Sequence, residues 1–519
     1  LLLSPDALLV KEYAGLGQPF VYAVPCTPLK SEARLIQLND ELAKSIGLQV
    51  DKLRTSEGIS ILTGQQPWPD YESIASVYCG HQFGVFVPQL GDGRAIVIAE
   101  IRKGADYKQL QLKGAGPTPF SRRADGRAVV RSSIREYVAS EALHALGIPT
   151  TRALSLTTTP DPVFRESTEM AAVVCRVSES FLRFGHVEYF SHTNQHQELL
   201  ELLGWHIERH HGALYSDDFE DKPVPTLMSW FKCLCQATAK LMAQWQSVGF
   251  CHGVMNTDNM SLLGLTIDYG PYGFLDKFDI DHICNHSDTN GRYSYRNQPR
   301  IGHWNLYALA SALMPLVQSE RESLQTILDE FPQQFQSEHN ALFASKMGID
   351  ISAQEEKQTE FIEFTLQMLH EHKLDMTRFF RSLSTLDSSK LSPVNSADSN
   401  KVQANLVDLQ FALWQQSSTF PWALGDETHV ESAREWLGKW LTIADPNCTS
   451  EKLNQINPIA IARNHLLQEA IVACEKGDDA VLNRLMRALS DPYTEQTDLS
   501  DLYQAAPEWA EHLEISCSS

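Results

Sequence analysis

The chain has 519 residues and carries 43 lysines and arginines against 65 aspartates and glutamates, a formal net charge of −22. That acidic excess argues against a nucleic-acid or anionic-membrane surface as the main partner, because both require basic patches. A hydrophobic content of 43% with 21% charged residues excludes wholesale disorder, and the ten cysteines are too sparse for a disulfide scaffold.

At about 150 residues per domain the length suggests roughly three domains. The opening segment LLLSPD lacks a basic stretch and is interrupted by Pro5 and Asp6, so it does not read as a signal peptide. Within the first part, Ala95 to Ile101 is a β-branched run after the turn residues Gly91-Asp92-Gly93. Tyr107 to Lys113 alternates, with Leu110 and Leu112 on one face and Gln109, Gln111 and Lys113 on the other. The spacing of Ile134, Val138, Ala142 and Ala145 predicts a helix over 131–146, stopped by Gly147 and Pro149. Met170 to Val177 reads as a buried strand.

From Pro225 the pattern turns helical, with Leu227, Trp230, Leu234, Leu241, Trp245 and Val248 in register until Gly249. An irregular stretch at 251–305 follows, then amphipathic helices. The Ser-rich segment 382–400 reads as a linker, and a further helical block extends to about Leu489 before an irregular tail. The longest apolar run, from Leu306 to Val317, contains Ser311 and Pro315 and falls short of the ~18 residues a membrane span needs. The segments divide as 1–215, a mixed β/α lobe; 216–400, a helical lobe; and 401–519, a helical extension with a Cys-containing tail.

Chemistry concentrates in HGVMNTDN at 252–259 and TIDYG at 266–270. Kinases place a base and a metal-binding Asn in H-R-D-x-x-x-x-N and a second metal ligand in D-F-G. His252 and Asn259 keep that spacing, and Asp268 heads the second motif, so Asn259 and Asp268 suit a hard cation. The base position, however, is Val254, which cannot accept a proton, and Asp258 is the nearest replacement carboxylate. A plain polar turn at 256–258 is the bland alternative.

Upstream, Lys113 on its strand and Glu136 on the next helix have the form of the kinase lysine–glutamate pair. Gly91-x-Gly93 followed by Arg94 could admit phosphate to backbone amides, although Ile96 stands where a third glycine would be. Lys113, Arg122, Arg123, Arg127, Arg131 and Arg135 form a basic island interrupted only by Asp125, and Arg176 and Arg183 could extend it. A solvated, salt-bridged face would have the same composition.

The segments YCGHQFG (78–84), PQLGDGRA (88–95), QLKGAGPTPFSR (111–122), DGRA (125–128), HGVMNTDNM (252–260) and LTIDYGP (265–271) resemble the selenoprotein O family. The likeness is dense from about Ile74 to Leu306 and resumes in PEW at 507–509 and SCSS at 516–519. Cys79 departs from the small residue more usual at its position and touches no expected role.

The resemblance implies an α+β, two-lobed kinase-like fold with ATP bound in inverted orientation. It implies transfer of AMP to Ser, Thr or Tyr hydroxyls of protein substrates, with Mg²⁺ or Mn²⁺. Asp258 would take the proton, and Asn259 and Asp268 would hold the metal. Gly91, Gly93, Arg94, Lys113, Asp125, Gly126, Arg176 and Arg183 would line the nucleotide site, with Glu136 pairing Lys113. Cys517 lies where some members carry selenocysteine, and a regulatory disulfide with Cys284 is expected. His282, Cys284 and His286 could also be read as zinc ligands, but their spacing does not match a structural site. A monomer in the bacterial cytoplasm, binding neither nucleic acid nor membrane, completes the expectation. UMP transfer from UTP, a phosphotransferase with a displaced base, and a non-catalytic nucleotide-binding scaffold are the alternatives.

Overall fold

A computed structural model describes residues 2–349, 355–386, 399–423, 426–513 and 515, with 399–402 as backbone. The molecule is α+β. Its largest sheet contains β1 (Ala7–Val10), β2 (Val21–Ala23), β3 (Arg34–Leu38), β4 (Ile74–Ser76), β7 (Ala95–Lys103), β8 (Asp106–Lys113), β9 (Ala128–Val129), β10 (Arg152–Phe164) and β11 (Thr168–Ser178). Its order is β2-β4-β7-β8-β11-β10-β3, with β1 on β7 and β9 on β11, and every pairing is antiparallel. Two small ribbons stand apart: β5 (Gly80–Gln82) with β6 (Val85–Val87), and β12 (Phe250–Cys251) with β13 (Gly273–Phe274).

The expected strands at 95–101, 107–113 and 170–177 are present, each slightly longer. β10 is the strand that sequence pattern conceals. Pro160 and Pro162 sit inside it, and the pairing with β11 slips between Thr158 and Pro162, where prolines can be accommodated without a ladder donor. The alternation in β8 does not mark one wet face. Gln109, Gln111 and Lys113 are buried too, because each finds a polar partner: Gln109 bonds Tyr107 and the Phe181 amide, Gln111 accepts from Arg176 of β11, and Lys113 donates to Glu136 of the helix Val130–Ala145.

The helix Pro223–Ser247 matches the periodic run beginning at Pro225. The irregular stretch ends earlier than expected, because the helix Gln298–Val317 carries Pro299 in its first turn, a position suited to proline. Most of the expected linker lies outside the described residues. Its described ends are helical, in Met376–Ser382, Leu383–Thr385 and Ser399–Trp414. The helical block closes with Ala480–Ser490, and the tail folds into 3₁₀ turns at Thr497–Tyr503 and Glu508–His512.

Two apolar cores hold these elements. One unites the main sheet with the helices up to Phe331 and with the segment from Ile459 to Tyr503. The other is built on Phe379, Trp414, Trp436 and Trp440. Among the described residues, no helix is long and apolar enough to cross a membrane.

Candidate active site

One cavity of about 680 Å³ opens where the sheet meets the loops after Cys251. Cross-strand geometry builds its floor. Gln111 of β8 faces Arg176 of β11, so Lys113, two residues on, shares the face that carries Arg176. Glu136, 2% exposed on the overlying helix, completes the arrangement. One of its oxygens accepts from Lys113 Nζ at 2.5 Å and the other from Arg176 Nε.

Asp268 closes the network from the far side. It accepts from Arg176 Nη2 at 2.5 Å and from Arg183 Nη1, and Lys113 Nζ lies 3.9 Å away. Its φ of +60° places it in the left-handed region, uncommon for any residue but glycine. Burial alone would raise the Asp268 carboxyl, but Arg183, Arg176 and Lys113 hold it well below the usual carboxylate range. Glu136 behaves alike, its burial outweighed by Arg176 and Lys113. Burial lowers Lys113 to about 8, and Arg176 pushes in the same direction against Glu136.

Asp258 lies in the 3₁₀ turn Thr257–Asn259. The turn is polar, as the bland reading has it, and most of its side-chain groups are engaged, with one exception at Asp258. Thr257 Oγ1 accepts from the His81 amide at 2.7 Å, and Asn256 Oδ1 accepts from Tyr293 Oη at 2.6 Å. Arg183 Nη1 donates to the Asp258 carbonyl at 2.8 Å, and a bridge between Arg183 and Ser261 fixes the arginine to this loop. The Asp258 side chain, 7% exposed, takes one hydrogen bond, from Gln82 Nε2 to Oδ2 at 3.2 Å; Oδ1 is buried without a partner. Burial pushes its carboxyl up to about 6, against the pull of Arg183 and Gln82. Next to it, Asn259 Nδ2 donates to the Val254 carbonyl at 2.9 Å, which leaves its amide oxygen as the available acceptor.

Gly91 and Gly93 form the opposite lip. Thr118 Oγ1 donates to the Asp92 carbonyl at 2.7 Å, and Ser121 Oγ donates to the Gly93 carbonyl. Gly91 has φ +137°, and a Cβ there would stand 2.5 Å from the Phe120 ring, so only glycine fits. Arg94 is exposed in the cavity and makes no ion pair among the described residues.

The residues expected from sequence at Gly91, Gly93, Arg94, Lys113, Asp125, Gly126, Arg176, Arg183, Asp258, Asn259 and Asp268 all line this cavity, and Glu136 backs it. The basic island does not stay whole. Arg122 and Arg127 reach the cavity, but Arg131 pairs with Glu169, and Arg135 is buried over the Tyr272 ring with its guanidinium on that residue's carbonyl. Helical geometry turns those two away from the face that carries Glu136.

Gln82, Asp92 and Arg165 also line the cavity and were not singled out from sequence. Asp92 is buried, bonded to the Ser76 amide and hydroxyl. Arg165 forks onto Asp125 with contacts of 2.8 and 3.0 Å. The turn signal at Gly91-Asp92-Gly93 could have drawn notice to Asp92; neither of the others carries a local signal.

Cys284 is buried, and its thiol donates to the Cys251 carbonyl at 3.3 Å; Cys517 lies outside the described residues. Among the described residues, the single group of three metal-ligand types is Asp279, Asp281 and His370. None of the three lines the cavity, and Lys373 and Arg296 pair with its carboxylates.

A family model described as "Protein adenylyltransferase SelO" matches residues 8–490. This chain belongs to the SelO family. Curated relatives named "Protein nucleotidyltransferase YdiU" align over nearly full length. The protein from Bordetella petrii is 40% identical over 510 residues, covering 98% of this chain and 97% of the relative. That from Methylococcus capsulatus is 41% identical over 521 residues, covering 99% and 97%. That from Stutzerimonas stutzeri is 42% identical over 511 residues, covering 98% of each. The chain is accordingly a nucleotidyltransferase.

Proposed function

We propose that the chain transfers AMP from ATP to Ser, Thr or Tyr hydroxyls of proteins and releases pyrophosphate, on a kinase-like two-lobed frame. The observation that carries this reading is Asp258: a buried carboxylate with one unpartnered oxygen, in the same cavity as Lys113, Arg176 and Arg183. Val254 also lines that cavity but offers no proton acceptor. A carboxyl near pH 6 is ionised at neutral pH while keeping affinity for a proton, which suits a general base.

In the proposed reaction Asp258 Oδ1 takes the hydroxyl proton, the freed oxygen bonds to the α-phosphorus, and the bond to pyrophosphate breaks. Lys113 and Arg94 would meet the charge developing on the phosphates, and the Glu136 pairing keeps the Lys113 ammonium in place. The donor set fits a hard divalent cation: an amide oxygen on Asn259 and an ionised carboxylate on Asp268. Mg²⁺ or Mn²⁺ bound there would neutralise phosphate charge. The 252–259 spacing, the Lys113–Glu136 pair and Asp268 before Gly270 support the kinase-like frame.

The test is ATP labelled at the α or the γ position, given to wild type and Asp258→Ala with a protein acceptor, with UTP run alongside. The expected result is α-label in protein from wild type alone. Label entering only from the γ position would mean a phosphotransferase, and none from either a scaffold.

The Cys284–Cys517 disulfide is also a proposal. The His286 amide donates to the Ile515 carbonyl at 2.9 Å, which brings the C-terminal segment beside the Cys284 loop. Oxidised wild type should then migrate differently from Cys284→Ser on non-reducing gels.

A further inference from the structure

Asp258 is held in place by a ribbon that the proposed chemistry has not used. β5 and β6 form a hairpin joined by the two residues Phe83 and Gly84, with Gln82 opposite Val85. Both loop residues have positive φ, +51° and +83°, as a two-residue hairpin turn of the right twist demands. The first of these positions normally takes Asn, Asp or Gly. A phenylalanine there is strained, and such strain persists only where the surroundings enforce it. Here the Phe83 amide donates to Asn256 Oδ1 at 3.1 Å and to Tyr293 Oη at 3.0 Å, and its ring lies 5.1 Å from that of Tyr293.

The hairpin is fitted tightly to the base. A Cβ on Gly80 would stand 2.9 Å from Asp258 Oδ1 and 3.0 Å from Thr257 Oγ1, and Gln82 holds Oδ2. Val85 is the cross-strand partner of Gln82, so it shares the face that touches Asp258. Phe83 is 41% exposed and Val85 68%, two of the few large apolar side chains left open to solvent. Phe83 itself lines the cavity. A hydroxyl approaching Oδ1 therefore arrives beside Phe83, which lines the cavity with part of its ring open to solvent, and the exposed Val85 lies two residues further along the same hairpin.

The geometry points to this hairpin as the docking element for the acceptor polypeptide, with Phe83 and Val85 gripping an apolar side chain next to the modified hydroxyl. This rests on the reading of the chain as a transferase acting on protein hydroxyls. The nucleotide needs charge, which the opposite wall supplies; a peptide flanking the hydroxyl offers what the hairpin lacks, an apolar surface to pack against. Gly80 and Gln82 couple the grip to the base, so the segment that docks is the segment whose hydroxyl meets Asp258.

The test uses the full chain, α-labelled ATP and two synthetic peptides with a single Thr in a Gly/Ser background, one with Leu at −1 and +2, the other with Glu at both. Wild type should favour the Leu peptide in kcat/KM. Phe83→Gly, which suits the positive φ and should not lower the thermal midpoint, is expected to cut transfer to the Leu peptide by about tenfold to a hundredfold. Its transfer to the Glu peptide should change far less, and Phe83→Tyr, which keeps the ring, should retain the preference. An equal preference in Phe83→Gly, or none in wild type, overturns the docking assignment alone. Absence of α-label in either peptide and in a whole-protein acceptor with wild type overturns the transferase reading and the assignment with it.

Discussion

The two walls of the cavity are built on opposite principles. On the sheet side, Lys113, Glu136, Arg176, Arg183 and Asp268 satisfy one another through five ion-pair contacts, four of them at normal hydrogen-bonding range or closer. On the hairpin side, Asp258 is buried with a single hydrogen bond and an orphaned oxygen. A buried charge is tolerable when paired and costly when it is not. The first wall is thus a mutually paired mount for charge, and the second holds the carboxylate proposed above to accept the proton. Burying both carboxylates raises their proton affinity; only at Asp268 do three cations reverse the outcome.

The sharpest way to break this contrast is Asp258→Asn, which keeps the volume and an acceptor for Gln82 but removes the proposed base. AMP transfer should fall by about 10²–10⁴-fold at saturating ATP, with ATP affinity retained by equilibrium binding. A loss below tenfold would assign the proton elsewhere.

Glu136→Ala attacks the other wall. Leaving Lys113 and Arg176 buried without their shared carboxylate should destabilise the chain by about 3–5 kcal/mol in denaturant unfolding, far more than any change at the exposed Arg434–Asp408 pair. Lys113→Met leaves Glu136 its arginine partner. It should keep the fold and lower turnover by about 10²–10³-fold, the loss usual for one charge-stabilising donor.

The smallest effect carries the opposite sign. Asp258 titrates near 6 in the folded chain against an ordinary 3.8, so its ionised form destabilises the fold by about 3 kcal/mol above pH 6. That penalty fades as pH falls from 6 and is gone below 3.8. Asp258→Asn should therefore raise the thermal midpoint at pH 8, and by less at pH 5, while wild-type activity declines as pH drops through about 6. A destabilised Asp258→Asn at pH 8 would show that the carboxylate is paired after all.

Much of the mounted wall is legible in the chain because it follows from local periodicity. A strand places Lys113 two residues beyond Gln111, a helix places Glu136 on its inner face, and the 252–259 loop spaces Asn259 from His252. The hairpin wall is not legible in that way. Gln82 meets Asp258 across 176 positions, and Arg165 meets Asp125 across 40, with no periodic signal to announce either contact. The basic island fails for the same reason: a run of like charges along the sequence does not say which members a helix will turn inward.

By itself, then, the sequence determined the residue types of the site, the strands and helix that carry Lys113, Arg176 and Glu136, and the net acidic charge, because each depends on near neighbours or on composition. The tertiary structure alone decided which carboxylate is paired and which stands unpartnered, since that depends on groups brought together from β5, β11 and the loops around Asp258 and Asp268. It also decided that an aromatic residue would be held in a strained turn at the mouth of the cavity, where three contacts from distant segments outweigh its backbone preference.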